Sequence, residues 1–233
     1  KPRHTTNSNH RYHKWKNLIH GFEPMAANQL WAADITYIML NNGDVCYLHL
    51  ITDAYSRMIV GWELADTLRA SITIKALEQA ISQTGGVSLE GLIHHSDRGV
   101  QYCCDDYVRT LQTHKIKISM TEDYNPTDNA IAERANGVIK TETVYSRKTF
   151  NSLEHARNVI GRFIHFYNYR RPHMSIGYKI PAVVHTETGA QKKMWKKKNY
   201  TKKMYNNENN GISLPCRTTG ADDGCNHHTV YSI

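Results

Sequence analysis

From residue 31 onward, apolar and polar positions group into short runs. WAADITYIML, VCYLHLITD and MIVGWEL are rich in β-branched and aromatic residues, and the turn-forming stretches NNGD and AYSR separate them. That is the pattern of three consecutive antiparallel strands. The period then lengthens. Residues 69–83, RASITIKALEQAISQ, carry Ile72, Ala76, Leu77 or Ala80, and Ile81 at three-to-four spacing, which predicts an amphipathic helix ending near Gly85 and Gly86. GLIHHSD (91–97) predicts a short buried strand, QYCCDDYVRTLQTH (101–114) a helix, and KIKISM (115–120) another strand. Asn125, Pro126, Thr127 and Asp128 supply turn and capping chemistry for a helix over residues 127–145. SLEHARNVIGRFIHFYNY (152–169) predicts one more helix, packed through Leu153, Ala156, Ile160, Phe163, Ile164 and Tyr167. The element order is β-β-β-α-β-α-β followed by helices. Beyond RRPHMSIGYKIPAVVH the apolar periodicity is lost, and no internal repeat is present.

At 233 residues the chain is long enough for one well-buried core with appendages. The pattern divides it into a basic linker segment (1–26), a core (27–185) and a basic tail (186–233). Charge sharpens this division. The net charge is +8, and the first 22 residues hold Lys1, Arg3, Arg11, Lys14 and Lys16 with no acid. KKMWKKKNYTKK (192–203) is richer still. Such one-signed segments attract polyanions through counterion release, which makes nucleic acid the first partner to consider. No apolar run approaches the roughly 18 residues of a membrane span, and no apolar signal core opens the chain. A soluble cytoplasmic protein is expected, with no membrane partner. Five cysteines, an odd number with Cys103 and Cys104 adjacent, suit reduced thiols better than a disulfide framework. Cys216, Cys225, His227 and His228 lack the close pair of a structural zinc site, so the tail reads as unstructured.

Candidate chemistry rests on carboxylates. Asp34 interrupts an apolar strand and Asp97 directly follows one; an ionised carboxylate beside a sheet core needs a partner or a cation. Glu133 shares a helix face with Asn129, with Asn136 or Gly137, and with Lys140, while Ala132, Ala135 and Ile139 form the apolar face. Three carboxylates from two strands and a helix suit two magnesium or manganese ions, with coordination positions left for phosphate oxygens and water. The matching chemistry is in-line phosphodiester cleavage or exchange. Asp53 competes with Asp34 for the first position, because strand register is not fixed by sequence and one bulge inverts the faces.

The motifs WAADITYI at 31, LITDAYSRMIVGW at 50, HHSDRGVQY at 94, SMTEDYNPTDNAIAERANGVIKTE at 119 and YNYRRPHMSIGYKIPAVV at 167 resemble the DDE transposases of bacterial insertion sequences, orfB type, which share the retroviral integrase core. The resemblance covers residues 27 to about 185. It implies an α/β fold of the ribonuclease H-like kind: a mixed five-stranded sheet, three antiparallel strands and then two parallel, flanked by helices. It also implies that Asp34, Asp97 and Glu133 are the catalytic acids and the ligands of two Mg2+ or Mn2+ ions. Asp53 matches a position outside the triad, with a structural role. Lys140 matches a basic position that reaches DNA near the reactive end, and DNA contacts are also expected from Asn129, Arg134, Arg170, Arg171 and His173. His95, Gly99 and Asn125 are expected to support the site, the glycine through a backbone requirement.

The implied reaction is cleavage at insertion-sequence ends and joining of the freed 3′ hydroxyl to a target strand. The implied partners are double-stranded DNA, both element ends and target, and a second copy of the chain or a larger assembly on DNA. A bacterial, nucleoid-associated location follows. A ribonuclease H-like nuclease that cuts without rejoining, and a non-catalytic DNA-binding remnant, are the alternative readings. The family's helix-turn-helix region is expected upstream of this chain, and the sequence after about 205 matches nothing in the family.

Overall fold

A computed structural model of the chain describes residues 8–122, 129–144 and 150–191. Three strands open the core: β1 (Leu30–Met39), β2 (Val45–Asp53) and β3 (Ile59–Ala65). They form an antiparallel meander in which Asp34 lies opposite Leu50 and Trp31 opposite Asp53. Helix α1 (Ala70–Gln83) follows, then β4 (Ile93–Ser96), α2 (Val100–Cys103), α3 (Asp105–Thr113) and β5 (Lys117–Met120). The sheet order is β3-β2-β1-β4-β5, with β4 parallel to β1 and β5 parallel to β4. Helix α4 (Ala130–Ile139) runs into a π-helical turn, Lys140–Val144; α5 (Leu153–Tyr169), a 3-10 turn (Met174–Ile176) and α6 (Pro181–Val184) complete the described chain.

Alternation along the strands sends the two sets of side chains into two cores, as a twofold strand period requires. Trp31, Ala33, Ile35 and Ile51 pack with Ala76, Leu77 and Ala80 of α1 and with Tyr102, Tyr107 and Leu111 of α2 and α3. Ile38, Leu48, Leu50 and Leu64 pack on the other face against Ile139 of α4 and Ala156, Ile160, Ile164 and Tyr167 of α5. Gly61 sets the distance between β3 and α1: a Cβ there would stand 2.1 Å from the Ala76 carbonyl oxygen.

The strand and helix expectations hold with one correction. The single helix expected over 101–114 is two helices, because Cys104 adopts an extended conformation (φ −68°, ψ 150°) and Asp105 restarts the winding. The expected helix start near residue 127, and Asn125 with it, lies outside the described residues, as do the tail cysteines and histidines. Cys46, Cys103 and Cys104 are free thiols.

Within the basic opening segment, residues 15–18 lie along the outer side of β5. Lys16 accepts a backbone hydrogen bond from Met120 (3.4 Å), Leu18 donates its N–H to Ser119 Oγ (2.8 Å), and Asn17 donates to Glu122 (2.8 Å). Trp15 packs against the first core. At the other end, Gly189 donates to the Met25 carbonyl (2.7 Å) and Gln191 to the Tyr55 hydroxyl (2.6 Å). Among the described residues no helix is long and apolar enough to cross a membrane.

Candidate active site

Register brings the two aspartates side by side. Leu30, Trp31 and Ala32 pair in parallel with Ile93, His94 and His95. Carried two residues further, the same offset sets Asp97 next to Asp34, on the face covered by α4. Asp97 stands just past the end of β4 and accepts a hydrogen bond from the Gly99 N–H (2.9 Å). The Asp34 carboxyl is pushed up to about 7, chiefly by burial, then by the Asp97 charge and more weakly by Glu133; a hydrogen bond from Asn136 works against the rise.

The stripe Asn129, Glu133, Asn136 and Lys140 recurs at four, three and four residues, so one side of α4 presents all four toward β1. Asn129 Nδ2 donates to the Ala33 carbonyl (3.0 Å), Asn136 Nδ2 donates to Asp34 Oδ2 (2.7 Å), and the Lys140 ammonium lies 4.4 Å from the centre of the Tyr37 ring. Helix and strand are thereby stitched together along their length. Glu133 belongs to the stripe, but its side chain is exposed at the helix surface. Among the described residues no three His, Cys, Asp or Glu side chains converge closely enough to hold an ion. The structure therefore pairs Asp34 with Asp97 and leaves Glu133 beside them. Two neighbouring carboxylates, one held near neutrality by burial, are hard oxygen donors whose mutual repulsion a divalent cation relieves; the donor chemistry fits.

The supporting residues divide. His95 is buried on the same sheet face as Asp34, its Nδ1 2.8 Å from Ser119 Oγ. Gly99 (φ −64°, ψ 144°) needs no left-handed backbone; it donates its N–H to Asp97. Asp53 is on the face opposite Asp34. It is fully buried and accepts from Asn28 N, Tyr55 N, Ser56 N and Ser56 Oγ, so it organises the turn into β3.

The residues expected at DNA also divide. Arg134 and Arg170 are exposed. Arg171 grips Glu142 through Nε and Nη2 (3.1 and 2.6 Å). Asn129 is buried with its amide on Ala33, so it anchors α4 rather than presenting itself to a ligand. His173 is buried, lowered to about 4 first by burial and then by Arg57, and so neutral; its Nδ1 accepts from the Ser175 backbone N–H (3.2 Å). A neutral, buried imidazole offers no cation to a phosphate. Asn136 was visible in the sequence only as a polar helix position, since an amide gives no charge signal.

Residues 24–126 match a family model described as Integrase core domain, and residues 114–181 match a second model of the same description. A Shigella sonnei insertion element IS600 protein of 31 kDa is 40% identical over 180 residues, covering 76% of this chain and 65% of its own length. A Mycobacterium tuberculosis protein assigned as the transposase of insertion sequence element IS986/IS6110 is 36% identical over 174 residues, 73% of this chain and 62% of its own. The chain thus spans less than two thirds of these relatives. Among solved structures, the HTLV-2 integrase catalytic core in complex with magnesium superposes with a TM-score of 0.55 at 20% identity, over 70% of this chain and 99% of that one. A chain of the simian T-cell lymphotropic virus intasome gives 0.61 at 20% identity, over 82% and 66%. The fold is ribonuclease H-like, and with integrase-core models matched from 24 to 181 the chain belongs to the integrase core domain family.

Proposed function

We propose that this chain is a transposase catalytic core that cleaves insertion-sequence DNA ends and joins the freed 3′ hydroxyl to a target strand by two-metal-ion phosphodiester transfer. The observation that carries the reading is the pairing of Asp34 with Asp97 beneath the α4 stripe that bears Glu133. Asp34 and Asp97 would hold one Mg2+ or Mn2+ ion, and Glu133 would complete the ligand set for the pair of ions. When bound, the ions lower the pKa of the attacking water or hydroxyl and stabilise the departing oxygen.

The chain's own residues orient the carboxylates. Asn136 fixes one Asp34 oxygen by donating to it, and the Gly99 N–H donates to Asp97. Lys140, held over the Tyr37 ring and felt electrostatically by Asp34, supplies a cation for a nearby phosphate. The HTLV-2 and simian viral relatives are described as magnesium-bound and as an intasome, which supports a divalent ion and a multimeric assembly on DNA here.

The test is incubation of the protein with labelled element ends in Mg2+ or Mn2+, with and without chelator, scoring both nicked and strand-transfer products. Both products should appear, only with metal, and Asp34→Asn, Asp97→Asn and Glu133→Gln should each lower the rate by at least about a hundredfold, the scale of losing a transition-state electrostatic contact. Metal-independent cleavage, or full activity of Glu133→Gln, would overturn the assignment. Nicking without joined product would reassign the chain as a nuclease.

A further inference from the structure

Arg57 and Arg171, from two separate motifs, are linked through a chain of side chains beside the π-helical turn that ends α4, and Arg134 stands on α4 itself. Arg57 Nε donates to Ser175 Oγ (3.2 Å), and that hydroxyl lies 2.8 Å from His173 Nδ1. The His173 ring meets the Tyr167 ring edge-on at 6.0 Å, and the Arg171 guanidinium lies 5.7 Å from the centre of the same Tyr167 ring. Arg134, Arg57 and Arg171 all act electrostatically on both Tyr167 and His173. Arg134 and Glu142 line one shallow depression with Glu133, Gly137 and Thr141, and Arg57 lines a neighbouring recess with Tyr55, Ser175 and Ile176.

Three acids face this group; Glu133 stands exposed on the rim of the depression. Asp53 acts on Arg57, but its oxygens are already engaged by four donors within its own turn. Glu142 is different: its carboxylate lies in the fork of Arg171, at the surface, on the π-helical turn that ends α4. A carboxylate and a phosphate present the same paired oxygens to a guanidinium fork. We propose that Arg57, Arg134 and Arg171 form a binding surface for successive backbone phosphates of duplex DNA, and that the Glu142 carboxylate stands in for the phosphate at Arg171 until DNA displaces it. This rests on the reading of the chain as a DNA-acting core, and deepens it by naming where the strand beside the reacting segment is gripped.

Arg57 is an independent sign. It has a φ of 67°, in the left-handed region where glycine is at ease and a side chain is strained. A backbone position suited to glycine carries instead a long cation, half-buried and aimed at Ser175, among other cations. Strain of this kind is retained where the side chain has work to do. The exposure of Arg134 and Glu133 leaves the depression open to an extended polymer rather than closed around a small ion.

The experiment reads binding by the full chain, as fluorescence anisotropy of a labelled duplex in chelator across a salt series. Glu142→Gln should bind several-fold more tightly than wild type, because no carboxylate has to be displaced from the Arg171 fork. Adding Arg171→Ala to that variant should cancel the gain. Arg57→Gly, which suits the backbone, should stay folded by thermal melting yet weaken binding and flatten the slope by about 0.9. Glu142→Gln binding no more tightly than wild type overturns the proposal, as does a folded Arg57→Gly with wild-type affinity and slope. Inorganic phosphate is titrated in parallel; saturation of Glu142→Gln at micromolar phosphate would mark a free-anion site and overturn the DNA assignment. Because chelator removes catalysis, these shifts with no cleavage in metal would defeat the proposed reaction alone.

Discussion

Asp34 and three buried histidines pull stability in opposite directions with pH. The Asp34 carboxyl is raised from 3.8 to about 7, so the stability of its neutral form is fully present below pH 4 and is lost as pH rises through about 7. In chelator at pH 8, Asp34→Asn should therefore raise the unfolding free energy by about 1–3 kcal/mol; urea denaturation at pH 8 and pH 4 checks that the gain vanishes in acid. His49, His94 and His173 are lowered to about 4, 3 and 4, mainly by burial, and hold their stability above pH 6.5 but lose it as pH falls toward 4. Acid melting of the Asp34→Asn protein should thus be steep between pH 6.5 and 4, and His49→Gln should flatten it. At this scale the sequence was readable where charge conflicts with context: a carboxylate inside WAADITYIML can be seen to need a cation. The choice between Asp34 and Asp53 was not readable, because it depends on the pairing Asp34–Leu50 and Trp31–Asp53. Nor was Asn136, whose amide has no charge to stand out.

At the scale of elements, α4 is useful because it is fastened to β1 at three points rather than packed through apolar contact alone. Asn129→Ala should loosen the first fastening, lowering stability by about 1 kcal/mol and slowing cleavage with little change in DNA affinity; denaturant midpoints and binding isotherms separate the two effects. Gly61→Ala tests the other face. With the Ala76 carbonyl 2.1 Å from the new methyl, α1 must shift, and the loss should be about 1–3 kcal/mol or more in chemical denaturation. The periods that predicted strands and helices were legible because each amphipathic element repeats its signal several times. The break at Cys104 gave no such signal. It is a single extended residue inside a continuous polar and apolar alternation, and no proline or glycine marks it.

For the whole molecule, the sheet order β3-β2-β1-β4-β5 places the two acidic strands at the centre, where parallel pairing fixes their relative height. The order followed from the motifs through their resemblance to integrase cores, not from hydrophobic pattern, since pairing partners distant in sequence leave no local trace. The role of residues 15–18 was equally hidden: the lysines and arginines of the opening arm pointed to a polyanion, whereas Lys16 and Leu18 join β5. A strand at the rim of a sheet is an adhesive surface, ready to extend into a neighbouring chain unless something occupies its free N–H and C=O groups. The arm acts as a cover for that rim. A chain shortened to begin at residue 24 should keep its circular dichroism but scatter light progressively with concentration and time, because the bare side of β5 can then recruit other copies into mixed sheets.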